Sequence, residues 1–295
     1  MIKKSIIRTA LFVPGDRPDR IDKAVNSGTD AVIIDLEDAV AVSQKDKARN
    51  AAKEKIKQFG KDNFIIVRVN AESAGLLEKD LNEIVREGLS AIMLPKVEDY
   101  SDIKHADTVL EESERKKGIE VGQTKLFPLV ESAKGIENIS GILSSGGNSS
   151  RLFTVAFGAA DYTLDMGIEM TVEGTELLYP RSRIAIACIS AGIRPPLDTP
   201  FMIDIKNVEM LEADAKRARQ LGFGGKLCIH PVQIDPCNKI FSPTEKEIDY
   251  AKKVIHTFEH AEKGGTAAVQ LDGKFIDYPV FKRSQSIVNL ASQLE

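Results

Sequence analysis

The chain has 295 residues, 42% of them hydrophobic and 28% charged, enough to bury a sizeable core, and its formal net charge of −4 gives no footprint for nucleic acid. Its three cysteines, Cys188, Cys228 and Cys237, are odd in number and form no C-x-x-C, which excludes a disulfide framework and favours reduced thiols. The first apolar run is broken by Arg8 and closed by Pro14-Gly15, so it makes no signal peptide, and no segment has the length of a transmembrane helix; a cytoplasmic protein without a membrane partner is expected.

Short apolar runs then recur, each followed by a helical pattern. TALFVPG (Thr9–Gly15) is the first; Pro18 stands where a helix opens and Gly28 follows its last turn. AVIIDLED (Ala31–Asp38) leads into Lys45–Phe59, which carries Ala48, Ala52, Ile56 and Phe59 at helical spacing. FIIVRVN (Phe64–Asn70) precedes a helix from Leu76 to Glu87 that ends at Gly88. AIMLPKV (Ala91–Val97), KLFPLVES (Lys125–Ser132) and LFTVAFGAAD (Leu152–Asp161) follow, then GIRPPLD (Gly192–Asp198), with its paired prolines, and KLCIHP (Lys226–Pro231). Pro180 in LLYPRSRI predicts a sixth helix that kinks or begins there, which leaves the place of Arg181 open. A helix runs from Lys206 to Leu221, and Ser242-Pro-Thr-Glu245 reads as a capping box opening a last one to about Lys263.

Eight apolar strands alternating with helices are the repeat of an α/β fold, the (β/α)8 or TIM barrel, with a parallel sheet buried on both faces. A doubly wound sheet is the alternative, but the first turn, PGDRPD, has neither Rossmann nor Walker spacing. The barrel is expected over 1–263. Residues 264–295 read as a hairpin turning at Asp272-Gly273, then a short helix from Ser284 to Leu294, a lid or arm outside the eightfold repeat.

In a barrel the C-terminal ends of the strands converge on one mouth. Those ends carry Pro14, Gly15 and Arg17; Asp35, Glu37 and Asp38; Arg68 and Asn70; Lys96; Glu131; Asp161; Asp198; and His230 with Gln233. Glu131 closes a fully apolar strand, where a lone carboxylate is costly unless something pairs with it. Glu131 and Asp161 end neighbouring strands and would repel without a cation between them, and oxygen donors of this kind suit magnesium or manganese. The other reading makes one a helix N-cap and pairs the other with Arg68 or Lys96. Arg68 is placed either to hold a substrate carboxylate bidentately or to close a salt bridge at the rim. Strand alternation puts Asp35 and Glu37 on one face and leaves Asp38 to cap the next turn. Cys228 reads as an apolar strand residue, and His256 with His260 as a solvated helix face rather than a zinc site.

The motifs LFVPGDRPDR, VIIDLEDAV with Lys45 to Arg49, VRVN, LPKVE, LVESAKGIEN, FGAADYTLDMG, RSRI, GFGGKLCIHPVQI, FSPTEKEI and DGKFIDYPV stand in the order found in citrate lyase β-subunit-like proteins. From about Arg8 to Val280 the chain resembles that branch of the aldolase/citrate lyase family, which includes malyl-CoA and citramalyl-CoA lyases. The resemblance implies a magnesium-dependent carbon–carbon lyase, with manganese as a second candidate ion. It would split a citryl-, malyl- or citramalyl-CoA type of 3-hydroxyacyl thioester into an acyl-CoA and a 2-oxo acid. It implies metal binding by Glu131 and Asp161, substrate binding by Arg68, and a catalytic Asp277 in a lid that serves a neighbouring subunit of a homo-trimer or hexamer. Arg17 is the candidate for gripping substrate or the CoA phosphates, and Glu37 and Lys96 add charge at the substrate. Three other readings stay open: a malyl-CoA-like thioesterase, the β subunit of a citrate lyase complex using an acyl-carrier protein, and a catalytically silent subunit. Similarity in CIHPVQI and the tail favours a stand-alone enzyme on free CoA esters.

Overall fold

A computed structural model describes residues 6–144 and 151–294, and it divides into two compact units, 1–238 and 239–295.

The first unit is a closed barrel of eight parallel strands in sequential order. Its elements run β1 (Thr9–Pro14), α1 (Pro18–Val25), β2 (Ala31–Asp35), α2 (Lys45–Phe59), β3 (Phe64–Arg68), α3 (Leu77–Ile84), β4 (Ala91–Leu94) and α4 (Tyr100–Lys116). They continue β5 (Lys125–Val130), α5 (Ala133–Ser144), β6 (Ala156–Phe157), α6 (Ala159–Met166), α7 (Leu178–Ser190), β7 (Leu197–Asp198), α8 (Val208–Gln220) and β8 (Gly225–Cys228), and the division between the units falls within α9 (Ile234–Ile240). Closure comes from β1 pairing with both β2 and β8, so no sheet edge is left open.

Strand alternation fills the barrel. Ala31 and Ile33, Phe64 and Ile66, Ala91 and Met93, and Phe127 and Leu129 meet in one buried cluster, two residues apart on each strand. Phe153 stacks on Phe127 at 5.1 Å between ring centroids and lies tilted against Phe64 at 5.4 Å. The same period of two makes Asp35, Arg68 and Glu131 the next inward rung above Ile33, Ile66 and Leu129. An apolar plug thus supports a polar layer at the C-terminal ends of the strands.

Outside the barrel wall a four-charge cluster is sealed between strands and helices. Arg181 of α7 donates to Asp198 of β7 at 2.8 and 2.9 Å and to Asp214 of α8 at 2.8 Å. Lys226 of β8 completes it with a bond to Asp198 and one of 2.6 Å to Asp214. Two cations and two anions, each less than a tenth exposed, balance one another there. Asp198 is therefore spent on the wall and not on the mouth. Pro180 does not start α7: it is the third residue of a helix that opens at Leu178, in the first turn, where its missing N–H has no intrahelical partner to lose.

The second unit consists of α10 (Glu245–Lys263), β9 (Val269–Leu271), β10 (Lys274–Ile276) and α11 (Tyr278–Leu294). Phe258 is its centre, 4.7 Å from Phe281 and 5.0 Å from Tyr278 between centroids, with Val254 and Ile276 buried beside it. Asp272 and Gly273 turn the hairpin with φ of 50° and 75°, the left-handed pair a two-residue turn needs. The final helix is longer than expected and opens at Tyr278. The capping box also shifts: Thr244 and Glu247 make both reciprocal bonds, so the cap lies two residues beyond Ser242 and α10 opens at Glu245. Because α10 shares its core with the hairpin and α11, the units divide at Asn238 and Lys239, ahead of the expected boundary after Lys263. No helix among the described residues is long and apolar enough to cross a membrane.

Candidate active site

The register of the barrel assembles the mouth. β2 and β3 pair with Asp35 directly opposite Arg68, and the guanidinium donates to both carboxylate oxygens of Asp35 at 2.7 and 2.6 Å. Asp35 also accepts from the Glu37 and Ala39 N–H groups at 2.9 and 3.0 Å. Asp35, not Asp38, therefore caps this turn, because its inward carboxylate meets the turn's amides while Asp38 points out and is exposed. The face of Phe12 lies 4.9 Å from the guanidinium carbon of Arg68. Arg68 is thus braced on two sides, and the remaining Nη1 reaches Glu37 at 3.2 Å. Burial works against its charge, but Asp35 and Glu37 more than offset that and hold the guanidinium firmly protonated.

Glu37 is buried between two cations, Arg68 and the Lys96 ammonium at 3.3 Å. Burial raises its carboxyl above the ordinary range even so. Lys96 has a left-handed backbone with φ of 55°, and its N–H donates to Glu131 Oε1 at 2.9 Å. Glu131 is 5% exposed. Desolvation first, and the charge of Asp161 second, push its carboxyl up to about 8. Asp161 stands half-buried in the first turn of α6. Both carboxylates and Lys96 line one cavity of about 890 Å³, flanked by Glu98, Lys134 and Asp165. A second cavity of about 980 Å³ lies at the opposite end of the barrel, around Asn63, Ser90 and Gln123. Barrel chemistry resides at the C-terminal face, so the carboxylate-lined cavity is the candidate site.

The other strand-end residues do different work. Asn70 gives its N–H and side-chain amide to Asp80 at 2.8 and 2.6 Å, and Asp80 in turn holds the buried Arg49. Gln233 bonds the Ile229 N–H and the Phe201 carbonyl, and His230 Nδ1 accepts from Val232 N to cap a short turn. Arg17 is the exposed N-cap residue of α1 and makes no side-chain capping bond. Asp277, in the second unit, caps α11 by accepting from Val280 N at 3.2 Å. Two features escaped sequence reasoning: the brace of Asp35 on Arg68, and Gly158, where a Cβ would lie 2.5 Å from Glu131 Oε2. The glycine after the sixth apolar run was the one available signal for the second.

A closed (β/α)8 barrel whose C-terminal mouth carries a buried Glu131, a half-buried Asp161 and a braced arginine is the frame of a barrel enzyme with an oxygen-donor centre. The family model for HpcH/HpaI aldolase/citrate lyase matches residues 8–231, and the chain belongs to this family. It is 35% identical to citrate lyase subunit beta of Leuconostoc mesenteroides subsp. cremoris, over 99% of this chain and 95% of that one. It is 31% identical to the L-malyl-CoA/beta-methylmalyl-CoA lyase of Cereibacter sphaeroides, over 97% of this chain and 95% of that one. Among solved structures, protein CitE from Mycobacterium tuberculosis in complex with magnesium, acetoacetate and coenzyme A superposes with a TM-score of 0.76 at 27% identity. That match covers 97% of this chain and 98% of the other. The chain is accordingly an enzyme of the oxo-acid-lyase type.

The residues at the mouth fit a magnesium ion. Glu131 and Asp161 are hard oxygen donors, and no third His, Cys, Asp or Glu joins them in a metal-sized group among the described residues. Two carboxylates with the remaining positions left to water and substrate match the way magnesium is usually held. Burial first and the repulsion of Asp161 second raise Glu131, and a bound cation would offset both. With its carboxyl moved from 4.5 to about 8, folded Glu131 keeps a proton that the unfolded chain loses between those values. Its contribution to stability is complete below pH 4.5 and is lost as pH rises to about 8. In EDTA, the melting temperature of wild type should therefore fall relative to Glu131→Gln between pH 5 and 8, and Mg2+ should reverse this in wild type alone. A pH-independent difference between the two would contradict the assignment.

Proposed function

We propose that this protein is a magnesium-dependent lyase that cleaves a citryl-, malyl- or citramalyl-CoA type of 3-hydroxyacyl thioester into an acyl-CoA and a 2-oxo acid, as a homo-trimer or hexamer. The observation that carries the reading is the shared inward layer of Glu131 and Arg68, with Asp161 close enough to raise the Glu131 carboxyl.

Glu131 and Asp161 would hold the ion, which supplies Lewis-acid polarisation and a template for an oxygen pair on the substrate. The residues of the chain do the rest. Arg68 is fixed in orientation by Asp35, so its charge is already in place when negative charge develops on the thioester oxygen. As the bond between the hydroxyl-bearing carbon and the carbon next to the thioester breaks, its electron pair passes into an enolate. The hydroxyl oxygen passes its proton to water in the site and becomes the keto oxygen of the 2-oxo acid. Asp277 delivers a proton to the enolate carbon, which completes the acyl-CoA. Glu37 and Lys96 balance charge beside Arg68, and Arg17 reaches the CoA phosphates.

If Asp277 serves a neighbouring subunit, Asp277→Ala and Glu131→Gln should each be inactive alone. Subunits of the two variants mixed by reversible dissociation should regain activity, since some sites then combine an intact mouth with an intact Asp277. No recovery in assemblies shown to be mixed would place Asp277 in its own subunit's site or outside the chemistry.

The purified protein offered citryl-, malyl- and citramalyl-CoA tests the reaction itself, with 2-oxo acid and free thiol followed separately. A 2-oxo acid supports the lyase; free thiol with intact hydroxy acid moves the assignment to a thioesterase. A second reading, the β subunit of a citrate lyase complex, is favoured by the 35% identity to the Leuconostoc subunit. It predicts turnover of a carrier-bound thioester and none of the three CoA esters.

A further inference from the structure

We propose that Lys96 orients the carboxylate of Glu131 through its backbone and not through its ammonium group, with Gly158 as the floor on which that carboxylate rests. The inference rests on the metal-site reading above and concerns what makes that site rigid.

Lys96 combines a long side chain with a φ of 55°. A left-handed conformation at a non-glycine residue is strained and persists only where the surroundings impose it. The side chain gives no reason for it: it is 47% exposed, and its ammonium reaches Glu37 at 3.3 Å. The backbone does. Turned this way, the Lys96 N–H donates to Glu131 Oε1 at 2.9 Å, and the next amide, Val97 N–H, returns to the Leu129 carbonyl at 3.2 Å. The left-handed residue therefore aims one N–H from the end of β4 at the carboxylate that ends β5.

The other side of the carboxylate is shaped by β6. Val130 pairs with Phe157, so the next rung brings Glu131 alongside Gly158. A Cβ at position 158 would lie 2.5 Å from Glu131 Oε2 and 2.8 Å from Glu131 Cβ. Gly158 has φ of −107°, which any residue adopts, so glycine is needed here for room and not for backbone freedom. Oε1 is tethered and Oε2 is seated over bare backbone, so the carboxylate enters metal binding with its rotamer already chosen. Supporting contacts of this kind orient a ligand and raise affinity without touching the metal.

The test uses Mn2+ as the probe, with free ion followed by electron paramagnetic resonance and binding heat by calorimetry, on the full-length protein. Lys96→Asn and Lys96→Val both delete the ammonium and are similar in size, but asparagine tolerates the left-handed region and valine does not. Valine should weaken Mn2+ binding by about 10–100-fold while asparagine stays within about threefold of wild type. Gly158→Ala should lose affinity as valine does, whereas Gly141→Ala, where a Cβ meets nothing within 4 Å, should not. The alanine pair carries the test if Lys96→Val does not fold, and melting curves in EDTA identify that case. Equal loss in asparagine and valine would show that the ammonium acts and would overturn the proposal, as would full affinity in both valine and Gly158→Ala. If wild type itself binds no Mn2+, the metal-site reading falls first and this inference with it.

Discussion

Glu131→Gln should lower kcat/KM by about 10³-fold or more, because an ion supplying several kcal/mol of charge stabilisation loses its buried anionic ligand. The amide is nearly isosteric and still accepts the Lys96 N–H, so the barrel should fold unchanged. Removing the charge also removes the cost of burying it and the repulsion with Asp161, the two causes that raise the Glu131 carboxyl. The variant should therefore be catalytically dead and, without metal near pH 8, more stable than wild type. Few substitutions at a merely structural ion pair would behave so, since breaking such a pair normally costs stability. Kinetics with Mg2+, Mn2+ binding and melting in EDTA check the three parts separately. Retained activity would remove Glu131 from the metal site.

Lys226→Met should destabilise the fold by about 3–5 kcal/mol, the usual cost of stranding a buried charge. Lys226 is fully buried and answers both Asp198 and Asp214; without it Arg181 is the one buried cation facing the two carboxylates, with the more exposed Arg217 3.7 Å from Asp214. Methionine keeps most of the volume, so the loss measures charge imbalance more than a cavity. Urea unfolding should show a lower midpoint with little change in slope. Adding Asp214→Leu restores neutrality, one cation to one anion, and should recover part of the loss. A single Lys226→Met variant as stable as wild type would mean that the cluster is not held as a balanced quartet.

The same cluster shows where sequence reading stops. Apolar runs flanked by helical patterns are enough to specify eight strands and their parallel order, because a strand buried on both faces leaves a continuous signal. Alternation then separates inward from outward positions along a strand as long as β2 or β5, which is how Asp35, Arg68 and Glu131 come to share a layer. β7 has only two residues, Leu197 and Asp198, and alternation cannot be established over that length. Asp198 thus looked like a mouth residue, although its partner Arg181 belongs to a helix that no local pattern links to it. His230 and Gln233 were misplaced for a related reason: the chain turns after β8, and capping of that turn takes the side chains. The Asp272-Gly273 hairpin was legible because a two-residue turn is a local property. The unit boundary was not, because an amphipathic helix such as α10 reveals its apolar face but not what covers it.

Mg2+-dependent release of a 2-oxo acid is the most direct test of the central claim. Wild type and Glu131→Gln would be followed in parallel on whichever CoA ester turns over, with EDTA added and then excess Mg2+ restored. A 2-oxo acid formed by wild type, abolished by EDTA, recovered with Mg2+ and absent in Glu131→Gln is the predicted result. Oxo-acid formation that survives both EDTA and the loss of the Glu131 carboxylate would contradict it.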